Sequence, residues 1–483
     1  MNAKTSVQTS FQEDEAPLAV LIGSWAESVK FEDFPADLVE NLQARVLDIL
    51  GICAASAPLA TSRAVRRYAV AQGGRGEARA VGIEDPLPAS QAAFVNGVLA
   101  HSLDYDDTHL PSVLHPSASV IPAVLGAVQA SGATGRQALR AIAIGLEVSV
   151  RLGMAGYDES AQNSVFFEHG QHATSICGAM GSAVGVAALR GDKELVAHSL
   201  GVAASMAAGI IESNRTGGTV KRIHCGWAAH AAVTAVNLVE HGLTGPPTVL
   251  EGRFGFFQAW LHGNFNPSAI TEGLGERWSI TDIFFKPYPA NHFTHAAIDA
   301  AAALRRDGIQ PDDIESMVLG VPAPNLRTIG EPLDVKRTPE TAYMAQFSGP
   351  YAVAAGLLGG DGLEVGLDDY TDDLARDPHR RAIMAKVDVV ADEECTAIFP
   401  MQFPAVLTAR LKGGRTVEKK VLANRGGNEN PLSFEELTRK FRDNAQRTMS
   451  VDDMLALEEA CRSLNTAPSV DALMTGLTLV DPQ

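Results

Sequence analysis

Cysteine is sparse in this sequence: Cys53, Cys177, Cys225, Cys395 and Cys461 are widely scattered, and none forms a C-x-x-C pair. That spacing argues against a disulfide framework or a structural zinc site and points to a reducing compartment. Long apolar runs are also missing. No stretch reaches about eighteen uninterrupted apolar residues, and the opening MNAKTSVQTSFQEDEAP is polar and acidic without an apolar h-region. A soluble, cytoplasmic chain is therefore expected. Cations are outnumbered, 39 Lys and Arg against 57 Asp and Glu, for a net charge of −18. Such a field repels phosphate backbones and anionic membranes, and no concentrated basic patch offsets it, so neither a nucleic-acid nor a membrane partner is expected. Small-molecule chemistry remains. An anionic substrate would have to be held by a few local cations in apolar surroundings.

Aromatics make up 6% of the chain, whereas glycine (44) and alanine-rich runs are frequent. This texture suits tightly packed helices with small contact residues. At 483 residues the chain exceeds a usual single domain. From about residue 16 to 284 the pattern is helical: Val39, Leu42, Val46, Ile49 and Cys53 repeat at +3/+4 spacing behind Pro35. Further helical runs are expected at 87–103, 117–131, 135–153, 172–190, 194–211 and 224–241. From 285 to 427 the texture changes. IESMVLGVP and MAKVDVVAD read as strands, and VLTARLKGGRTVEKKVL as a hairpin turning at Gly413–Gly414, with Leu407, Ala409 and Leu411 on its covered face. From 428 to 483 helix returns, with Ser433 and Glu436 placed as a capping box and Ser450 as a second N-cap. The expected architecture is mainly α: a helical domain built from 16–284 and 428–483, an inserted α+β lid at 285–427, and a disordered tail at 1–15.

Proton-active residues concentrate in four places. The first is HSLDYDDTHLPSVLHPSA, residues 101–118, where Asp104, Asp106, Asp107, His109 and His115 punctuate small and apolar neighbours. Metal binding is the obvious rival reading. It lacks an H-x-x-x-H or H-x-x-E-H face, and the adjacent Asp106 and Asp107 cannot both aim at one ion from a regular helix. No metal is therefore expected. The second is FFEHGQHATSICGAMGSA, which sets His169 and His172 at i, i+3 before a small-residue helix, whose dipole disfavours an imidazolium. The third is ESNRTGGTVKRIHCGWAAHAA, where Gly217 and Gly218 precede Lys221, Arg222 and His224 and form a carboxylate-binding corner. The fourth is ITDIFFKPYPANHFTHAAIDA, in which Lys286 follows IFF at the expected domain junction, half-buried and able to reach a carboxylate, with His292 and His295 beyond it.

In this order, the four clusters resemble the MmgE/PrpD family, which includes 2-methylcitrate dehydratase, cis-aconitate decarboxylase and iminodisuccinate epimerase. The resemblance runs from ARVLDILGICAAS through AAFVNGVLAHSLDYDDTH, HPSAS, VKRIHCGWAAHAA and FKPYPANHFTHAA to EELTRKFRDNA. It implies a helical domain, an α+β lid, a homodimer and a cofactor-free site for small di- or tricarboxylates. The family's D-x-D-D-T…H-P-S pattern falls on Asp104, Asp106, Asp107, Thr108, His115, Pro116 and Ser117. Its helix-start histidine falls on His172, its lysine before x-x-H-x-G on Lys221, and its hinge lysine on Lys286. There are two departures. Decarboxylases of the family carry a histidine where this chain has Asn291, with His292 beside it, and a lid tyrosine in the region that here reads APNLRTIGEP.

The chemistry common to this family is proton movement beside a carboxylate. Lys221, Lys286 and Arg222 are expected to hold substrate carboxylates, while His115 or His172 moves the carbon-bound proton. Asp104 would fix an imidazole tautomer, and Thr108, Asn291 and His292 would contact substrate. The expected activity is a 2-methylcitrate dehydratase-like hydro-lyase. A cis-aconitate decarboxylase-like carboxy-lyase and an epimerase are the alternatives. Cysteine nucleophilic catalysis is not expected, because Cys177 and Cys225 sit among Ala and Gly in helices. A binding protein without turnover would have lost a catalytic His or Lys, and none is lost.

Overall fold

A computed structural model describes residues 16–213, 218–360, 362–477 and 479. The expected disordered tail 1–15 and Gly217 lie outside the described residues. The periodic stretch behind Pro35 is the helix Ala36–Ser56, with Pro35 at its N-cap and Leu42, Val46, Ile49 and Cys53 buried. The following runs become helices Ala89–Ala100, Ser117–Ser131, Gly135–Ala155, Ala173–Ala188, Lys193–Met206 and Ile223–Glu240. The run expected to reach residue 211 stops at Met206, because Ala207 turns extended.

Small residues set how closely these helices approach. Gly97 and Gly226 face each other where Ala89–Ala100 crosses Ile223–Glu240. A Cβ on Gly226 would lie 2.4 Å from a Val98 methyl, and one on Gly97 would lie 2.8 Å from the Gly226 Cα. This close crossing carries the end of one helix toward the start of the other.

The α+β segment forms a four-stranded sheet in the order Val387–Ala391, Ile314–Val321, Ala405–Leu411, Thr416–Val421. Ile314–Val321 runs parallel to Val387–Ala391 and antiparallel to Ala405–Leu411. The hairpin register pairs Ala405 with Val421 and Arg410 with Thr416. Leu407, Ala409 and Leu411 are buried and Arg410 is exposed, the alternation expected of a sheet covered on one face. Helices His295–Arg306 and Gly349–Leu358 cover that face and share its apolar core.

Helices Phe434–Ala445 and Val451–Arg462 return to the first body, where Phe441, Ala445 and Leu457 join the same core as Leu42 and Ile49. Both helices begin as expected, with the Ser433–Glu436 capping box and the Ser450 cap. The fold is therefore mainly α with an α+β part. Among the described residues no single helix is long and apolar enough to cross a membrane. All five cysteines are buried and unpaired.

Candidate active site

The loop after Ala89–Ala100 is fixed from three sides. Arg45, on Ala36–Ser56, reaches Asp107 Oδ2 at 2.7 Å and the Ile283 carbonyl at 2.7 Å. Lys440, on the returning helix Phe434–Ala445, donates to the Tyr105 carbonyl at 3.1 Å and pairs with Asp48 at 2.7 Å. Tyr105 in turn donates its hydroxyl to the Pro287 carbonyl at 3.0 Å. A two-residue ladder, Thr108 with Phe284 and His109 with Ile283, completes the attachment. That ladder places Lys286 over the loop. Gly426 allows it: its carbonyl accepts from Phe285 N at 3.0 Å, and a Cβ there would lie 2.1 Å from the Phe285 oxygen.

Within this frame Asp104 lies between two lysines. Its backbone adopts φ 53°, and its Oδ1 lies 3.1 Å from Lys286 Nζ and 3.7 Å from Lys221 Nζ. Burial alone would raise the Asp104 carboxyl, but the two lysines outweigh it and hold the pKa well below the usual carboxylate range. The expected role of Asp104 as an imidazole holder is corrected: the left-handed turn aims it at ammonium groups. Lys286 is corrected as well. It is 1% exposed rather than half-buried, with Nζ also donating to the Asp104 carbonyl at 2.9 Å.

The imidazoles are held by other groups. His115 Nδ1 lies 2.6 Å from the Asp107 carbonyl and 3.3 Å from Thr108 Oγ1. A carbonyl only accepts, so Nδ1 carries the proton, and the neutral ring presents its Nε2 lone pair. Burial pushes His115 down to about 4, which keeps it neutral at pH 7. His101, at the C-cap of Ala89–Ala100, bonds Asp106 Oδ2 at 2.6 Å. Burial would raise Asp106, yet the attraction of His101 and His115 holds it down to about 2. His172 heads Ala173–Ala188 as expected, and its Nδ1 meets His224 Nδ1 at 2.8 Å. Burial pushes His172 well below the ordinary imidazole value. Ring centroids run His115 to His101 5.3 Å, His101 to His172 5.7 Å, and His172 to His224 4.8 Å.

Other expected residues fall at the margin. Arg222 directs its guanidinium to Thr61 Oγ1 at 2.8 Å. Asn291 caps the turn His292–Thr294 through Phe293 N at 3.1 Å. His292 is buried with both ring nitrogens unpartnered, stacked on His295 at 4.5 Å, and it feels the charges of Lys286 and Asp104. His169 is exposed, and His109 is closed off by Ser112 at 2.6 Å. The sequence reading left His101 and His224 without roles, although both stand inside the quoted motifs. Arg45 carried no local signal at all, since its partner lies 62 residues on.

Among the described residues one group has metal-ligand spacing: His101, Asp106 and Cys225, whose ligand atoms lie within 4.8 Å of one another. The His101–Asp106 hydrogen bond already occupies one atom of each. The donor set therefore fits a resident divalent ion poorly. A surface groove of about 560 Å³, lined by Phe31, Phe34, Phe434, Arg136 and Arg462 among others, shares no residue with the imidazole and lysine cluster.

Comparison with known proteins covers both halves of the chain. The MmgE/PrpD N-terminal domain matches residues 20–268, and the MmgE/PrpD C-terminal domain matches 288–466. Cis-aconitate decarboxylase of Homo sapiens is 28% identical over 402 residues, 80% of this chain and 79% of the relative. The Mus musculus protein of the same name is 28% identical over 412 residues, 82% and 80% of the two chains. A cis-aconitate decarboxylase of Aspergillus terreus is 23% identical over 472 residues, 93% and 94% of the two chains.

Proposed function

Because the chain belongs to the MmgE/PrpD family, we propose that this lyase acts on a small di- or tricarboxylate without a cofactor, and that its leading reaction is decarboxylation of a cis-aconitate-type substrate. One observation carries the reading: Lys221 and Lys286 converge on a single carboxylate, Asp104, beside the free Nε2 of His115. A site that holds one carboxylate between two ammonium groups is built to hold another. The names of the relatives support the decarboxylase branch. So does His292, whose unpartnered nitrogens offer an imidazole next to the position where Asn291 replaces one.

In the decarboxylation, the C–C bond to the departing carboxylate breaks and its electron pair forms the new C=C bond. The old double-bond pair takes up a proton, and CO₂ leaves. His115 delivers that proton from Nε2 once a bound polyanion has drawn its pKa upward, and Lys221 and Lys286 offset the charge on the remaining carboxylates.

A second reading is the 2-methylcitrate dehydratase-like reaction. Neutral His115 favours it, since its Nε2 lone pair can remove a carbon-bound proton as the C–O bond breaks to form the C=C bond, and the imidazolium so formed then gives that proton to the departing hydroxide, releasing water. Asn291, turned to helix capping, favours it too. For assembly we propose a cytoplasmic homodimer. Val220, Ile223 and Trp227 form an exposed apolar face at i, i+3, i+7 next to Lys221, and burial of that face by a second copy is tested by sedimentation of Trp227→Glu.

The deciding experiment is NMR of the purified protein in D₂O with cis-aconitate, 2-methylcitrate, citrate and aspartate-like dicarboxylates, with and without chelator. CO₂ release from cis-aconitate with one deuterium in the product supports the first reading. Water loss from 2-methylcitrate supports the second. Deuterium exchange without net product, or activity that returns only with a divalent ion, overturns both.

A further inference from the structure

His172 and His224 meet nitrogen to nitrogen, Nδ1 to Nδ1 at 2.8 Å, with ring centroids 4.8 Å apart. Two Nδ1–H groups would clash at this distance and two lone pairs would repel, so only two of the four combinations of neutral tautomers are allowed. The rings are locked together: whichever carries its proton on Nδ1, the other carries it on Nε2. Both positions are firm. His172 donates its backbone N–H to the Gly209 carbonyl at 3.0 Å. The His224 carbonyl accepts from Ser175 Oγ at 3.0 Å, one turn into the helix that His172 caps.

Among the described residues, the charges that bear most on the pair are those of other imidazoles and a lysine. His101 faces it from the end of Ala89–Ala100, His115 from the loop, and Lys221 from the turn before Ile223–Glu240. Asp106 is committed to His101. Among the described residues the ring of His172 has no partner other than His224 that could set its tautomer.

We propose that His224 is a positioning residue for the reaction: of the two allowed pairings it supports the one in which His224 Nδ1 accepts from His172 Nδ1–H, leaving His172 Nε2 free to take up a proton. The inference rests on the reading of His172 as part of the site. The pair then works as one proton-holding unit. A second proton would set two cationic Nδ1–H groups 2.8 Å apart, beside Lys221. His172 is thereby kept ready to exchange one proton without closing its outer nitrogen.

The test separates this inference from the choice of reaction, because its first measurement needs no substrate. ¹⁵N-histidine spectra of the full chain, with His172 assigned by comparison with His172→Gln, report the tautomer directly. The wild-type His172 ring is expected to show the Nδ1-protonated tautomer, and the Nε2-protonated one would overturn the proposal. In His224→Phe, which keeps a ring in place but offers no nitrogen, the two His172 nitrogens should average and titrate at a shifted pH. His224→Asn, which restores a hydrogen-bonding group, should bring back a single tautomer. In turnover, His224→Phe should lower kcat roughly 10- to 100-fold with KM within about 3-fold and a displaced pH profile, and His224→Asn should recover part of the loss. An unchanged His172 tautomer and titration in His224→Phe overturns the proposal, whatever the substrate proves to be.

Discussion

His115 Nδ1 stands 2.6 Å from the Asp107 carbonyl oxygen, and that contact decides which nitrogen of the ring does chemistry. The bond leaves Nε2 as the only atom of the ring able to accept a substrate proton. Removing the ring in His115→Ala should cost roughly 10²- to 10⁴-fold in kcat while the melting temperature moves little. In the free enzyme His115 titrates near 4, the value to which burial takes it: kcat/KM should rise as pH falls toward 4 if the ring delivers the proton, and should hold to about pH 5 and fall near 4 if it removes one. Wild-type rates in the variant, or a limb of either sign near the ordinary imidazole value, would remove His115 from the mechanism.

Lys221 and Lys286 should divide their effects by burial. Lys221 keeps 24% of its side chain exposed, and Lys286 keeps 2%. Lys221→Ala should abolish turnover with a folded protein. Lys286→Met, which fills the space without the charge, should lose activity and also let the Asp104 pKa rise toward the usual carboxylate range. Steady-state kinetics with circular dichroism on both variants checks this division; normal turnover in either would break the site assignment.

Asp104→Asn leaves a buried lysine without its counter-charge, a loss of about 3–5 kcal/mol for pairs of this kind. A polycarboxylate seated between Lys221 and Lys286 would replace the missing charge. Citrate should therefore raise the melting temperature of Asp104→Asn more than that of the wild type. Equal shifts would mean that substrate carboxylates bind elsewhere.

Arg45 touches no substrate in this reading, yet it holds Asp107, the Ile283 carbonyl and the face of Phe285 at 4.5 Å. Arg45→Met should cost about 3–5 kcal/mol of stability through the uncompensated Asp107 carboxylate, measured by urea unfolding. Stability within 1 kcal/mol of wild type would show that the loop is fixed by its other attachments.

Stability should fall as the solution is acidified below neutrality. Burial lowers His115 and His224 to about 4 and His109 and His295 to about 3, and it takes His172 and His292 well below the ordinary value. Each is neutral in the fold and takes up a proton on unfolding. Its full contribution is present above about pH 6.5 and is lost as pH falls toward the folded value, at about 1.4 kcal/mol per pH unit per histidine. Unfolding free energies at pH 7 and 5.5 should differ by more than one histidine supplies. A flat profile would mean that these rings are already protonated in the fold.

Helices and strands were legible because their signals are local. The spacing from Leu42 to Cys53, the Ser433–Glu436 cap and the Gly413–Gly414 turn each declare themselves within a few residues, and each stands where it was expected. The residue types of the site were legible as well, since Asp, His and Lys are conspicuous among Ala and Gly. Their roles are less so: local sequence suggests Asp104 as an imidazole holder and Arg222 as a substrate cation, whereas Asp104 lies between lysines and Arg222 bonds Thr61.

By itself, then, the sequence determined the mainly α architecture, the α+β insertion, and a set of imidazoles, carboxylates and lysines suited to carboxylate chemistry. Tertiary structure alone decided who pairs with whom. The left-handed turn at Asp104, the Thr108–Phe284 ladder and the close approach of Gly97 to Gly226 join segments more than a hundred residues apart. Tautomers and pKa values follow from the atom at hydrogen-bond distance and from the water excluded around it. Both are properties of the packed chain, and neither can be read from neighbours in sequence.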